Sequence, residues 1–385
     1  MKTELALVTL FVLVGCAGPD RVTTSIVPDS TQRSGASAAV SNTGRSPQEK
    51  FQLGEQAEKE SRLDEAVALY RESASDGFAP AQAKLGSLLA AGRGVWADEW
   101  EAVRLFRLAA DQGDANAQIA LAIMYRRGRG GLNEDVAETL RWIRLAAAQN
   151  LPLAQALLGG AYEHGGVGVA KDDAQAVKLY RMAADQGSAA AMVSLGIMYL
   201  DGRGGLKQDD SHAVRLFRLA ADKGHPQAQA NLGLMYSEGR GGLVQDDAQA
   251  VRLYRLAANQ GDAWAQVLLG NMYLEGLGGL AQDDASAIPW FRLSADQGHP
   301  VGLNNLASMH EEGRGGLVKN DILALRLYRL AADQGFASAQ FSLGQMYEAG
   351  RAGLAQDREA ARRLYRLAAD QGFETAKSAL SQLDK

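Results

Sequence analysis

Few residues in this chain could carry bond chemistry, and their spacing argues against most of it. The histidines are His164, His212, His225, His299 and His310. Only His225 and His299 are equivalent, each just before a proline, and they stand too far apart in the chain to share a metal ion. His310 stands where tyrosine is usual and reads as a packing residue. Paired acids such as Asp246-Asp247 read as helix N-caps, since a carboxylate accepts from the exposed backbone N–H groups of a first turn. Gly202-Arg203-Gly204-Gly205 lacks the Lys-Ser/Thr of a phosphate loop and follows a helix instead of a strand, so it is expected to be a turn. Cys16 is the single cysteine, which rules out an intrachain disulfide and a cysteine-based zinc site. No Ser/His/Asp set is recognisable. The expectation is no catalytic residue, no metal and no cofactor.

One series of charges recurs. Arg71, Arg107, Arg144, Arg181, Arg218, Arg255, Arg292, Arg329 and Arg366 hold one equivalent position, most with an Asp four residues on, as in Arg107/Asp111 and Arg366/Asp370. A ladder for anions is one reading. Pairing within the helix together with contact to the next repeat is the other.

These residues must be positioned by a repeat. The pair Leu-Gly, or Leu-Ala, recurs from Leu85-Gly86 through Leu121-Ala122 and Leu232-Gly233 to Leu343-Gly344, with steps of 37 residues after the first. An Asp-Gln-Gly marker keeps pace with it, as in Asp111-Gln112-Gly113 and Asp370-Gln371-Gly372. Within residues 226–261, Ala228, Leu232, Met235 and Tyr236 share one helical face. Gly239 to Leu243 then break the helix, because glycine costs about 1 kcal/mol in a helix interior. A second helix turns Ala250, Leu253, Tyr254, Ala257 and Ala258 inward and ends at Gly261 in the left-handed conformation. Asn150 takes the place of that glycine in one unit. One helix pair cannot bury its apolar stripe alone, and stacked copies can. Nine helix pairs and a terminal helix are predicted. The first pair, 48–76, has the short linker Ser61-Arg62-Leu63-Asp64, and the half-unit 374–383 reads as a cap.

The pattern Ala-x-x-x-Leu-Gly-x-x-Tyr, then Gly-x-Gly, then Asp, then Ala-x-x-x-Tyr-Arg-x-Ala-Ala-Asp-Gln-Gly resembles the Sel-one-like repeat, a relative of the tetratricopeptide repeat. The likeness covers residues 48–383. It implies an all-α, right-handed α/α superhelical solenoid, and an adaptor or scaffold whose concave face, lined by the first helices, holds a protein or peptide. A cysteine-rich branch of that family is associated with β-lactam binding, but its disulfides cannot form here.

Residues 1–16, MKTELALVTLFVLVGC, combine Lys2, an apolar run from Leu5 to Val14, and Leu13-Val14-Gly15-Cys16. Ten residues are about half a bilayer span, so the run is a signal-peptide core. Its end resembles a bacterial lipobox. That implies cleavage before Cys16 and lipidation of Cys16, and Ala17 favours the outer membrane. Residues 1–15 are thus expected to be a signal peptide, 16–47 a lipidated tether, and 48–385 the repeat domain. A net charge of −5 without a basic run excludes most nucleic-acid binding, which rests on neutralised phosphates.

The aromatic departures from the repeat are Trp264, Trp96, Trp100 and Trp290. Trp264 begins a first helix, Trp96 and Trp100 flank a short loop, and Pro289-Trp290 should interrupt and kink a second helix. They are candidate partner anchors, with core filling as the other reading. The leading expectation is a lipid-anchored, periplasm-facing scaffold in the cell envelope. An enzyme acting on cell-wall material and a purely structural envelope protein are the rivals.

Overall fold

The computed structural model describes residues 44–383, and no strand occurs among them. The signal peptide, Cys16 and nearly all of the expected tether lie outside the described residues. Among the described residues nineteen helices follow one another, and all but the last are 13 residues long. They form pairs, a leading and a trailing helix, as the repeat predicts. Two compact units divide the chain. One holds residues up to 198 with 203–206, the other 199–202 with 207 onward.

In the first unit the pairs are Pro47–Lys59 with Leu63–Ser75, Ala79–Ala91 with Glu99–Asp111, Ala115–Arg127 with Val136–Ala148, and Pro152–His164 with Asp173–Asp185. Helix Ala189–Asp201 runs through the division. The second unit continues with trailing helix Asp210–Asp222. Its pairs are Pro226–Glu238 with Asp247–Asn259, Ala263–Glu275 with Asp284–Asp296, Pro300–Glu312 with Asp321–Asp333, and Ala337–Ala349 with Arg358–Asp370, followed by Glu374–Leu383. In each unit, extensive helix contacts join elements one or two steps apart in the chain.

Local chemistry sets each boundary. Pro226 sits in the first turn of its helix, where a missing N–H costs nothing. Gly239 ends that helix at φ +63°, and Arg240 N–H donates to the Met235 carbonyl at 3.0 Å. Asp246 caps the trailing helix by accepting from Gln249 N–H at 2.9 Å. The trailing helix closes before Gly261, φ +92°, and Asn150 takes φ +65° at the equivalent place, as expected. Two expectations need correction. Leu63 and Asp64 belong to the second helix, not the linker, because Ser61 at φ +61° turns the chain in one step. Helix Asp284–Asp296 also runs unbroken through Pro289. The exposed proline removes one intrahelical bond without ending the helix.

The core is built from alanines and one large aromatic per trailing helix. Ala228, Ala250 and Ala257 are fully buried, and Tyr254 is 1% exposed. Gly233 of the leading helix faces the Tyr254 ring. A Cβ there would lie 2.7 Å from ring carbon Cε1, nearer than atoms can pack. Gly86 meets Phe106 and Gly159 meets Tyr180 in the same way. Gly233→Ala is expected to destabilise by about 1–3 kcal/mol through overpacking, read as a lowered thermal midpoint. An unchanged midpoint would show that the ring slides aside freely.

Candidate functional site

Polar wiring, repeated along the chain, is the chemistry this fold displays. The loop arginine of a repeat reaches back to the acid that opens the preceding trailing helix. Arg203 Nε and Nη2 bind the Asp173 carboxylate at 3.0 and 2.8 Å. Arg240 does so with Asp210 at 2.9 and 3.1 Å, and Arg314 with Asp284 at 2.8 and 2.9 Å. Arg129 with Glu99 and Arg351 with Asp321 complete the set. Such forks join two planar ions through paired charge-assisted bonds. They tie these five loops to the previous hairpin.

Two of these forks extend inward. Glu163, only 2% exposed, accepts from Tyr180 Oη and from Arg203 Nη1, both at 2.8 Å. Glu311 accepts from Tyr328 Oη at 2.8 Å and pairs with Arg351. Burial and the Glu163 charge push the Tyr180 hydroxyl up, and the Asp173 and Glu163 bonds raise the Arg203 guanidinium. All these groups are already bonded to one another, so the arrangement holds structure.

Glutamines form a second relay. The Gln112 amide donates to Gln82 Oε1 at 2.8 Å, and the Gln82 amide donates to the Ala74 carbonyl at 3.2 Å. Gln260 with Gln229 and Gln297 with Gln266 repeat the pair. Where Leu303 replaces the leading-helix glutamine, Gln334 turns to the Gly298 carbonyl at 2.9 Å.

Three of the recurrent arginines bond to the next repeat. Arg107 donates to Tyr125 Oη at 3.1 Å, Arg255 to Tyr273 at 3.5 Å and Arg329 to Tyr347 at 3.0 Å. Arg107 and Arg329 thus reach a tyrosine hydroxyl, not the aspartate four residues on that helix spacing suggested.

The tryptophans do not form one site. Trp96 is 95% exposed, while Trp100, though 72% exposed, lays its ring over Gly131. Both belong to the first unit. Trp264 and Trp290 are half-buried against one apolar cluster of the second unit. Trp264 also lies 5.9 Å from the His299 ring. Trp264 and Trp290 are thus partly covered by their neighbours, and Trp96 is the most exposed of the four. His225 and His299 precede their helices without capping them. Neither ring nitrogen of His299 finds a hydrogen-bond partner, and burial pushes its pKa down to about 4. Among the described residues, no group of three His, Cys, Asp or Glu could hold a metal ion, and no helix is long and apolar enough to cross a membrane.

The Sel1 repeat matches eight times, over residues 79–114, 115–151, 152–188, 189–225, 226–262, 265–299, 300–336 and 337–373. A solved structure of c5321, a protective antigen of uropathogenic Escherichia coli strains with an SLR fold, shares 31% identity. The match covers 88% of this chain and 79% of that one, at a TM-score of 0.53. A Sel1 repeat protein from Oxalobacter formigenes shares 27% identity over 65% of this chain and 96% of its own, at a TM-score of 0.54. No curated protein matches the chain. With the repeats, the boundaries and the helix pairs in agreement, the chain belongs to the Sel1-repeat family of helical-repeat proteins.

Proposed function

We propose that this protein is a lipid-anchored scaffold of the bacterial cell envelope that binds a protein or peptide partner on its repeat domain. The observation that carries the reading is the repeat array itself. Within each compact unit the helix pairs recur at a regular spacing, and among the described residues the ionic groups pair with one another instead of gathering in a reactive pocket. The family fits protein-interaction scaffolds of this kind. The anchor rests on Leu13-Val14-Gly15-Cys16 and the apolar run before it. Two or three acyl chains, at about 0.8 kcal/mol per buried CH₂, suffice for stable attachment.

Two experiments separate the parts of this reading. Cells fed radiolabelled palmitate are expected to label the wild type and not Cys16→Ser, with the variant leaving the membrane fraction. Labelling of Cys16→Ser, or an unlabelled wild type, would refute the anchor. A photo-crosslinking residue in place of Trp96 is expected to trap one reproducible protein adduct in intact cells. Adducts that are absent, or that follow protein abundance alone, would count against the scaffold.

A further inference from the structure

Seven glycine loops can be compared at one position. The residue after the first loop glycine is Arg129, Gly166, Arg203, Arg240, Leu277, Arg314 or Arg351. The residue that opens the preceding trailing helix is, in the same order, Glu99, Val136, Asp173, Asp210, Asp247, Asp284 or Asp321. Five loops carry both the arginine and the acid, and the Gly166 loop, facing Val136, carries neither. Only the Leu277 loop keeps the acid and lacks the arginine.

The geometry around Asp247 is that of the complete copies. A Cβ built on Gly278 would lie 2.4 Å from the Asp247 carbonyl oxygen, as one on Gly204 would from that of Asp173. The loop backbone therefore approaches Asp247 as closely as it does where an arginine is held. Asp247 is half-buried, and its carboxylate has no hydrogen bond or ion pair among the described residues. Glu275 is exposed and likewise has no hydrogen bond or ion pair among the described residues, whereas its counterpart Glu238 pairs with Arg240 at 2.9 Å. Beside this loop lies an open cavity of about 390 Å³, lined by Ala248, Val251, Arg252, Arg255, Leu256 and Gly279. In the first unit the place of Ala248 is taken by Trp100, which covers Gly131. Here nothing covers Gly279.

We propose that Asp247, with Glu275, is a receptor for an arginine side chain supplied by a partner polypeptide lying in this groove. The five complete copies show which ion the acid holds. Asp247 opens its helix and Arg252 and Arg255 lie five and eight residues on, roughly 8–12 Å away at 1.5 Å per residue. An extended peptide covers that in about three residues. The matching segment therefore carries arginine and, about three residues away, a carboxylate to meet Arg252 or Arg255. This rests on the scaffold reading and names the chemistry of its partner.

The test uses the full-length protein in mild detergent and the fluorescein-labelled peptide Arg-Ala-Ala-Glu. Saturable binding is expected by anisotropy, at least tenfold weaker when citrulline replaces arginine. Asp247→Asn and Leu277→Arg are each expected to weaken it at least tenfold. Leu277→Arg should also raise the thermal midpoint, because it supplies the arginine internally. Equal binding of the citrulline peptide, or by either variant, overturns the proposal, as does no saturable binding by the wild type. A midpoint that Leu277→Arg fails to raise overturns the receptor geometry. A raised midpoint without peptide binding overturns the partner claim and leaves the scaffold reading standing.

Discussion

Arg203→Ala is expected to lower stability by about 3–5 kcal/mol, the range for removing one partner of a buried ion pair. Its side chain is 23% exposed and holds two carboxylates at once, Asp173 and the almost fully buried Glu163. Deleting it leaves Glu163 in a low-dielectric setting with the Tyr180 hydroxyl and, at 3.9 Å, the His164 ring beside its charge. Arg240→Ala is the control. Its side chain is 36% exposed and bonds acids of similar exposure, so solvent screening should hold the loss to about 1 kcal/mol or less. Repeat arrays need not unfold in one step, so amide exchange across residues 152–205 is the better readout. Equal losses for the two variants would show that burial of Glu163 does not set the strength of the network.

The second large effect is a loss of stability in acid through His299. Its pKa is lowered from the usual 6.5 to about 4 by burial. The unfolded chain therefore binds a proton over a range where the folded chain does not. Stability is full above pH 6.5 and falls as pH drops toward 4. The whole shift corresponds to about 3 kcal/mol at 1.36 kcal/mol per pKa unit, and about 2 kcal/mol of it lies between pH 7 and 5. Burial lowers His225 and His310 as well, which adds to the trend, while it raises Asp262, which opposes it. His299→Phe isolates the one residue, since Phe78, Phe336 and Phe373 already occupy the equivalent position. The wild type should lose about 2 kcal/mol relative to His299→Phe on going from pH 7 to 5. Parallel pH curves would contradict the assignment.

The sequence made the helix pairs legible because the periodicity, the glycine stops and the acidic caps all act within a few residues. Asp246 and Gly239 do what their types dictate locally. The ion forks were not legible, because Asp210 and Arg240 meet only after a helix, a turn and a second helix have folded. The Asp246-Asp247 pair shows the limit. Reading both as caps is right for Asp246 and misses the second place, which in other repeats holds the arginine. A signal was present, since loop arginines and opening acids come and go together in all the compared loops but that of Leu277, as in Val136 with Gly166. The tryptophans were ambiguous for another reason. Whether an aromatic anchors a partner or fills a gap depends on the neighbouring repeat. Trp96 projects into solvent, while Trp264 is flanked by His299.

The most direct test of a stack in which each repeat leans on its immediate neighbours is amide hydrogen exchange on a chain ending at Gly335, compared with the full-length protein. Helices in residues 226–262 touch none of the removed elements extensively, and nearest-neighbour stability predicts that their protection stays within about threefold. Protection should fall sharply only in the last remaining pair, Pro300–Glu312 with Asp321–Asp333, which loses its contact with Ala337–Ala349 and the Arg351 bonds to Glu311 and Asp321. Collapse of protection throughout residues 226–262 would contradict the stack and require a core shared by distant repeats.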